Sequence, residues 1–238
     1  MLFWKKKKLD TNSMERGVKL VTVSSPKSVN TEQFNTIRTN IEFSNIDKKI
    51  QSLLITSSTA SEGKSTVAAN IAVSFARQGK NVLLVDADLR RPTINTTFNI
   101  DDPNGLTTFL TSQNMDINTV VYPTSIEKLY VLPSGPIPPN PSELIGSSKM
   151  EKLINCLEDS FDMVIYDAPP VLAVTDSQIL STKVDGTVLI ARENKTEIKA
   201  IKQAIGALKH VKGNLLGIVL NDVLRENDGY YGYGKEFR

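Results

Sequence analysis

The chain has 238 residues, with 28 Lys plus Arg against 26 Asp plus Glu and a formal net charge of +2; that balance argues against a broad electrostatic surface for nucleic acid, and no nucleic-acid partner is expected. Cys156 and His210 are the only residues of their kinds, which excludes disulfide frameworks, Cys/His zinc sites and a Ser-His-Asp triad together and leaves Lys, Asp, Ser and a metal to carry any chemistry. No apolar run reaches the roughly 18 residues of a membrane span and no signal-peptide pattern is present, so a cytoplasmic protein with at most peripheral membrane contact is expected.

The first 30 residues, with Leu2, Phe3 and Trp4 beside Lys5 to Lys8, are polar or basic with little periodicity and read as a flexible basic arm, either solvated or touching an anionic leaflet. From Thr31 to Phe43, Phe34, Ile37 and Ile41 recur at helical spacing, with Thr31 as the expected N-cap. Strand-like and amphipathic runs then alternate. The reading is strand Ser52 to Thr56, helix Lys64 to Arg77, strand Asn81 to Asp86, strand Tyr130 to Leu132, helix Lys149 to Asp159, strand Met163 to Tyr166, strand Gly186 to Ala191, helix Glu197 to Lys209 and strand Leu215 to Leu220. Strands such as Val82-Leu83-Leu84-Val85 and Met163-Val164-Ile165-Tyr166 are apolar on both faces, as expected when helices cover both sides of a parallel sheet. The fold class is therefore α/β, a doubly wound, mostly parallel sheet of the P-loop NTPase type. Residues 31–225 form one domain, and residues 226–238 form a flexible tail rich in glycine and tyrosine.

Three motifs fall where such a sheet binds ligands, at the carboxyl ends of its strands. Ser58 to Thr66 follows the apolar run Leu53-Leu54-Ile55 and opens a helix. Amides of Ser61, Glu62, Gly63 and Thr66 in a loop of this kind form an anion nest, Lys64 supplies charge for the β- and γ-phosphates, and the Ser65 hydroxyl reaches Mg²⁺. Ser58 replaces the first glycine of the full phosphate-loop pattern. Asp86 and Asp88 lie just past a strand end on the same side of the residue alternation, so one can reach Mg²⁺ while the other orients or deprotonates an attacking hydroxyl. Asp167 ends a later strand, where an acidic residue holds the metal through water. Arg90 and Arg91 are open to two readings, contacts to phosphate or an acidic peptide, or solvated surface.

These residues resemble the bacterial tyrosine kinases of capsular and exopolysaccharide synthesis, the BY-kinases. The resemblance rests on Ser61-Glu62-Gly63-Lys64-Ser65-Thr66, Val85-Asp86-Ala87-Asp88-Leu89-Arg90-Arg91-Pro92, Tyr166-Asp167-Ala168-Pro169-Pro170, the proline-rich Pro138 to Leu144 and the closing Tyr230-Tyr231-Gly232-Tyr233. It implies ATP and Mg²⁺ as cofactors, with Lys64 on the phosphates, Ser65, Asp86, Asp88 and Asp167 around the metal, and Asp86 as the base or hydroxyl-orienting group. It also implies Asn221 as the adenine contact and Tyr230, Tyr231 and Tyr233 as acceptors phosphorylated in trans. The implied partners are a transmembrane adaptor of the polysaccharide co-polymerase type, a cognate tyrosine phosphatase, and polysaccharide-synthesis enzymes as substrates. The adaptor would recruit the chain to the inner face of the membrane. A homo-oligomeric ring is implied through the helix motif Glu-x-x-Arg-x-x-Arg-x-Asn, of which Glu32, Arg38 and Asn40 are present while Asn35 replaces the first arginine. Ala60-Ser61 stands where the family has Pro-Gly, so a serine must adopt a backbone conformation that glycine usually supplies.

Two alternative functions share the phosphate loop. A partition or Min-type switch ATPase carries an additional lysine early in that loop, and none lies between Ser58 and Ser61. A regulatory ATP-binding scaffold would bind nucleotide without transfer.

Overall fold

A computed structural model describes residues 12–44 and 49–223. In chain order the elements are α1 (Asn12–Arg16), α2 (Val21–Ser24), α3 (Val29–Glu42), β1 (Ser52–Ser57), α4 (Lys64–Arg77), β2 (Val82–Asp86), α5 (Ile94–Thr97), α6 (Leu106–Thr111) and a single 3₁₀ turn at Ile117–Thr119. They continue with β3 (Tyr122–Pro123), β4 (Leu129–Leu132), α7 (Pro141–Gly146), α8 (Ser148–Ser160), β5 (Met163–Asp167), α9 (Asp176–Ser181), β6 (Gly186–Arg192), α10 (Ile198–His210) and β7 (Leu215–Asn221).

Seven strands form one sheet in the order β3-β4-β2-β5-β1-β6-β7. All pairs are parallel except β3 with β4. The central strands β1, β2 and β5 are buried along their whole length, because helices cover both faces and both alternating sets of side chains are apolar. On one face α4 packs Val67, Ile71 and Phe75 against Leu53, Ile55 and Leu84; Ala68, Ala69, Ala72 and Ala76 let it approach closely enough to be buried nearly all round. On the other, Met150, Leu153, Ile154 and Leu157 of α8 meet Leu54, Leu83, Val85 and Val164. The β2–β5 register sets Asp86 directly beside Asp167. Residues 81 positions apart in the chain thereby reach one edge of the sheet.

The amino-terminal region differs from the expectation of a mobile arm reaching residue 30. From Asn12 onward the chain is docked, and Val18 and Leu20 pack on the core around α4. The anchor is Asn70 of α4, fully buried. Its Nδ2 donates to the carbonyls of Lys19 (2.9 Å) and Thr66 (2.8 Å), and its Oδ1 accepts from Thr22 N (3.0 Å) and Oγ1 (2.8 Å). One interior asparagine thus satisfies a polar segment that had no periodicity of its own to announce it. Residues 1–11, including the lysine run, lie outside the described residues. The cap of α3 also differs. Ser28 is the N-cap, its Oγ accepting from Thr31 N at 3.3 Å, while Thr31 Oγ1 donates to the carbonyl of Ser25 at 2.8 Å. Thr31 is therefore three residues inside the start of the helix rather than at its cap.

Candidate active site

The turn from β1 into α4 brings the phosphate loop to the carboxyl edge of the sheet. Gly63, at φ +91°, caps α4, and a Cβ there would come within 2.1 Å of Asn221 Nδ2; only glycine gives both the left-handed turn and the close approach. Ser61 adopts φ +63°, the conformation expected of it in place of glycine. Its carbonyl accepts a hydrogen bond from Lys195 Nζ at 2.9 Å. Glu62, expected among the nucleotide-binding residues, turns its carboxylate inward. It accepts from Thr59 N (3.1 Å), Thr59 Oγ1 (2.7 Å) and Thr196 Oγ1 (2.7 Å) and is fully buried. Its side chain is thus a strut that ties the loop to the β6–α10 connection, leaving its backbone N–H as the group that can face a phosphate. Asn221, at the end of β7, donates Nδ2 to the carbonyl of Glu62 at 3.0 Å. Lys195 and Thr196 carried no sequence signal, since their role depends on a partner some 134 residues away.

Lys64 is the hub. Its Nζ lies 2.7 Å from Asp88 Oδ2, 3.3 Å from Asp167 Oδ1 and 3.2 Å from Ser65 Oγ. Burial alone would lower its pKa, but Asp167 and Asp88 outweigh burial and hold it above the ordinary lysine value. Asp86 is pushed up to about 8, chiefly by burial and then by the neighbouring charge of Asp167. Asp167 is likewise raised by burial, against the pull of Lys64. Three carboxylates and one ammonium therefore share a region shielded from water, and the surplus negative charge calls for a further cation.

Asp86 is placed differently from its expected role as a base facing the acceptor. Oδ2 accepts the amides of Thr93 (2.9 Å) and Ile94 (3.0 Å), and Oδ1 accepts that of Asp88 at 3.2 Å. In this arrangement it organises the loop after β2, while Asp88 reaches the open cleft. That cleft, of about 330 Å³, is lined by Gly63, Lys64, Ser65, Asp88, Arg91 and Asn221, among others. Arg90 turns away from it. Its Nε and Nη2 donate to the two carboxylate oxygens of Asp176 at 3.0 and 3.2 Å, and Ser142 Oγ completes the cluster at 2.5 Å from Asp176 Oδ1. Arg90 is thus held away from the cleft by Asp176, with its side chain still 37% exposed.

The donor set suits Mg²⁺. Asp167 Oδ2 is buried and makes no hydrogen bond among the described residues, and Ser65 Oγ and Asp88 lie beside the same lysine. No group of three or more His, Cys, Asp or Glu side chains among the described residues is arranged as a self-sufficient metal cage; few protein oxygens completed by phosphate and water is the coordination Mg²⁺ favours.

Of the ring residues, Glu32 and Asn40 are exposed on α3. Arg38 Nη1 instead donates to the carbonyl and hydroxyl of Ser74 at 3.2 and 3.3 Å, and Asn35 Oδ1 accepts from Ser74 Oγ at 2.8 Å. Both fasten α3 to α4. Tyr230, Tyr231 and Tyr233 lie outside the described residues.

Fold and site together define a P-loop nucleotide-binding α/β protein with acidic residues at two strand ends. A family described as an AAA domain matches residues 53–219. The chain is 46% identical over 220 residues to the tyrosine-protein kinase YwqD of Bacillus subtilis (strain 168), covering 92% of each chain. The crystal structure of the chimerical protein CapA2B2 is similar at a TM-score of 0.83 and 37% identity, with 91% of this chain and 92% of that one covered. The cell division ATPase MinD of Pyrococcus furiosus is more distant, at a TM-score of 0.60, 26% identity and 71% of each chain. The chain belongs to the bacterial tyrosine kinases of capsule and exopolysaccharide synthesis and is a protein-tyrosine kinase. The Min-type reading is correspondingly disfavoured. No helix among the described residues is long and apolar enough to cross a membrane.

Proposed function

We propose that the chain uses ATP and Mg²⁺ to phosphorylate Tyr230, Tyr231 and Tyr233 of a neighbouring copy. The observation that carries this reading is Lys64 held between Asp88, Asp167 and Ser65, which gathers phosphate-binding and metal-binding groups at one point. Ser65, Asp88 and Asp167 would hold Mg²⁺, with Asp86 behind them, and Mg²⁺ when bound supplies neutralisation of charge on the transferring phosphoryl group. Lys64 and the loop amides orient the phosphates. A tyrosine phenol has a pKa of about 10, so it needs a proton acceptor as its oxygen attacks. Asp88 fills that role by its access to the cleft, and Asp86, its carboxylate engaged by the amides of Asp88, Thr93 and Ile94, holds the loop that carries it. Asn221, beside the phosphate loop at the end of β7, would contact the adenine.

The same reading includes a transmembrane adaptor that activates the kinase and brings it to the inner face of the membrane, a tyrosine phosphatase that reverses the modification, and polysaccharide-synthesis enzymes as further substrates. It also includes a ring in which Glu32 and Asn40 of α3 face a neighbour. Phosphate groups on the tail would each add about −1.5 to −2 charges and loosen such a ring by repulsion. Incubating the chain with Mg-ATP, with and without its adaptor, and mapping phosphotyrosine by mass spectrometry tests the core of the proposal. Phosphate on the tail of the parent and none in Lys64→Met is the expected result; an unmodified tail with the adaptor present refutes it. ATP turnover without phosphotyrosine would restore the switch-ATPase reading.

A further inference from the structure

The cleft has two flanks. In the sheet, β6 and β7 lie on one side of β1, and β5 followed by β2 on the other. Arg192, Asn221 and Asp222 belong to the first flank; Asp88, Arg91 and Thr93, from the loop after β2, belong to the second, with Lys64 between them. The second flank is completed by Ser13, Met14 and Val18 of the docked amino-terminal segment and by Pro170. That segment is fastened to α5. Thr96 Oγ1 donates to the carbonyl of Met14 and Val18 N donates to Thr97 Oγ1, both at 3.0 Å. Gly17, at φ +71°, lies so close to α5 that a Cβ would be 2.7 Å from Thr97 Cα.

Thr93 sets this flank apart. It is only 4% exposed, it lines the cleft, and its Oγ1 makes no hydrogen bond among the described residues, although its N–H is engaged by Asp86. Buried hydroxyls rarely go without a partner, so an unpaired one in the wall of the cleft points to a ligand group. In-line phosphoryl transfer brings the entering oxygen in opposite the leaving nucleotide. With the nucleoside on the flank of Asn221, the acceptor enters on the flank of Thr93.

We propose that this flank is the acceptor-tyrosine subsite. Met14, Val18 and Pro170 seat the ring, Thr93 Oγ1 hydrogen-bonds the phenol oxygen, and Arg91 receives an acidic side chain that precedes the tyrosine. The inference rests on the kinase reading and deepens it by assigning the class of peptide taken: tyrosine with carboxylates on its amino-terminal side. Tyrosine has an apolar body and a polar tip, which match an apolar wall ending in one hydroxyl, and methionine makes favourable contacts to ring edges. Arg91 is exposed at the cleft while its neighbour Arg90 is held by Asp176. The chain's own tail places Glu226 and Asp228 ahead of Tyr230.

The test measures binding of a fluorescent peptide of residues 225–238 by anisotropy. The full chain, carrying Tyr230→Ala, Tyr231→Ala and Tyr233→Ala, is loaded with Mg²⁺ and a non-hydrolysable ATP analogue. Thr93→Val is expected to weaken the tyrosine peptide about fivefold, the cost of one hydrogen bond, while barely affecting a peptide with phenylalanine at all three positions. Met14→Ala should weaken both peptides alike. Arg91→Glu should weaken the parent peptide but not one carrying Glu226→Gln and Asp228→Asn. Affinity for the ATP analogue should stay within about twofold throughout, as expected for groups that touch only the acceptor. Variants that bind the tyrosine peptide like the parent, or that lose nucleotide and peptide affinity together, overturn the subsite. The kinase reading fails by a different result, absence of phosphotyrosine on the peptide when the parent is given Mg-ATP and adaptor.

Discussion

Replacing Arg90 by alanine is expected to destabilise the fold and slow transfer, although the side chain touches no phosphate. Asp176 is 1% exposed and receives two hydrogen bonds from the guanidinium, at 3.0 and 3.2 Å. Breaking a well-buried ion pair by removing one partner costs about 3–5 kcal/mol. Three features reduce the figure here: Arg90 is 37% exposed, so water can reach the vacated position; Ser142 Oγ still donates to Asp176; and Asp176 begins α9, where the helix dipole favours its charge. The loss should therefore be about 2 kcal/mol, and that of Asp176→Ala nearer 1, because a stranded arginine can turn to solvent whereas a stranded buried aspartate cannot. Urea unfolding of both single variants and the double variant gives the coupling, expected at about 1–2 kcal/mol. Asp88 Oδ1 accepts the amides of Arg90 and Arg91 at 3.4 and 3.1 Å, so loosening this loop should lower the phosphorylation rate about tenfold with a smaller change in nucleotide affinity. A coupling below about 0.3 kcal/mol, or equal losses for the two single variants, would refute the argument, since a surface pair would behave in that way.

Three other perturbations separate the loop's contributions. Gly63→Ala forces an unfavourable left-handed alanine and pushes Asn221 off the Glu62 carbonyl, so nucleotide affinity measured calorimetrically should fall at least about tenfold; an unchanged affinity would mean that the loop relaxes freely. Ser61→Gly removes strain at φ +63° but adds freedom to the unfolded chain, and the net gain in stability by urea unfolding should be at most about 1 kcal/mol; a loss of that size would contradict it. The raised pKa of Asp86 means that its carboxyl binds a proton more tightly folded than unfolded, so its contribution is fully present below its ordinary value near 3.8 and is lost as pH rises through about 8. In the absence of Mg²⁺, melting temperature relative to Asp86→Asn should therefore decline from pH 5.5 to 8.5 by an amount equivalent to at most about 1.4 kcal/mol per pH unit; parallel curves would remove this assignment.

What could be read in the sequence is what is local. The phosphate loop needs only a strand before it and a helix after it, so Ser58 to Thr66 could be assigned from neighbours in the chain, and the helix Lys64–Arg77 has the bounds expected. Strands buried on both faces announced themselves by unbroken apolar runs, and their ends located Asp86 and Asp167 to within a residue. The short helices α5, α6, α7 and α9, of four to six residues, were not legible because two turns or fewer present no period to detect.

Residue type identified the chemistry, whereas orientation depended on partners far along the chain. Glu62 reads as a phosphate-loop residue, yet Thr196 decides that its carboxylate points inward. Arg90 and Arg91 are adjacent and chemically equivalent, and only Asp176, 86 residues beyond Arg90, separates a structural arginine from one at the cleft. Asp86 and Asp88 pose the same ambiguity, resolved when Thr93 and Ile94 fold back to donate to the first and Lys64 approaches the second. The docked segment before α3 is the extreme case. Its polar residues look solvated because the asparagine that satisfies them sits 48 positions past Thr22, in the middle of the core helix. A segment that reads as an arm thereby becomes a wall of the cleft, and substitutions there should alter which tyrosines are reached while leaving the phosphate loop intact.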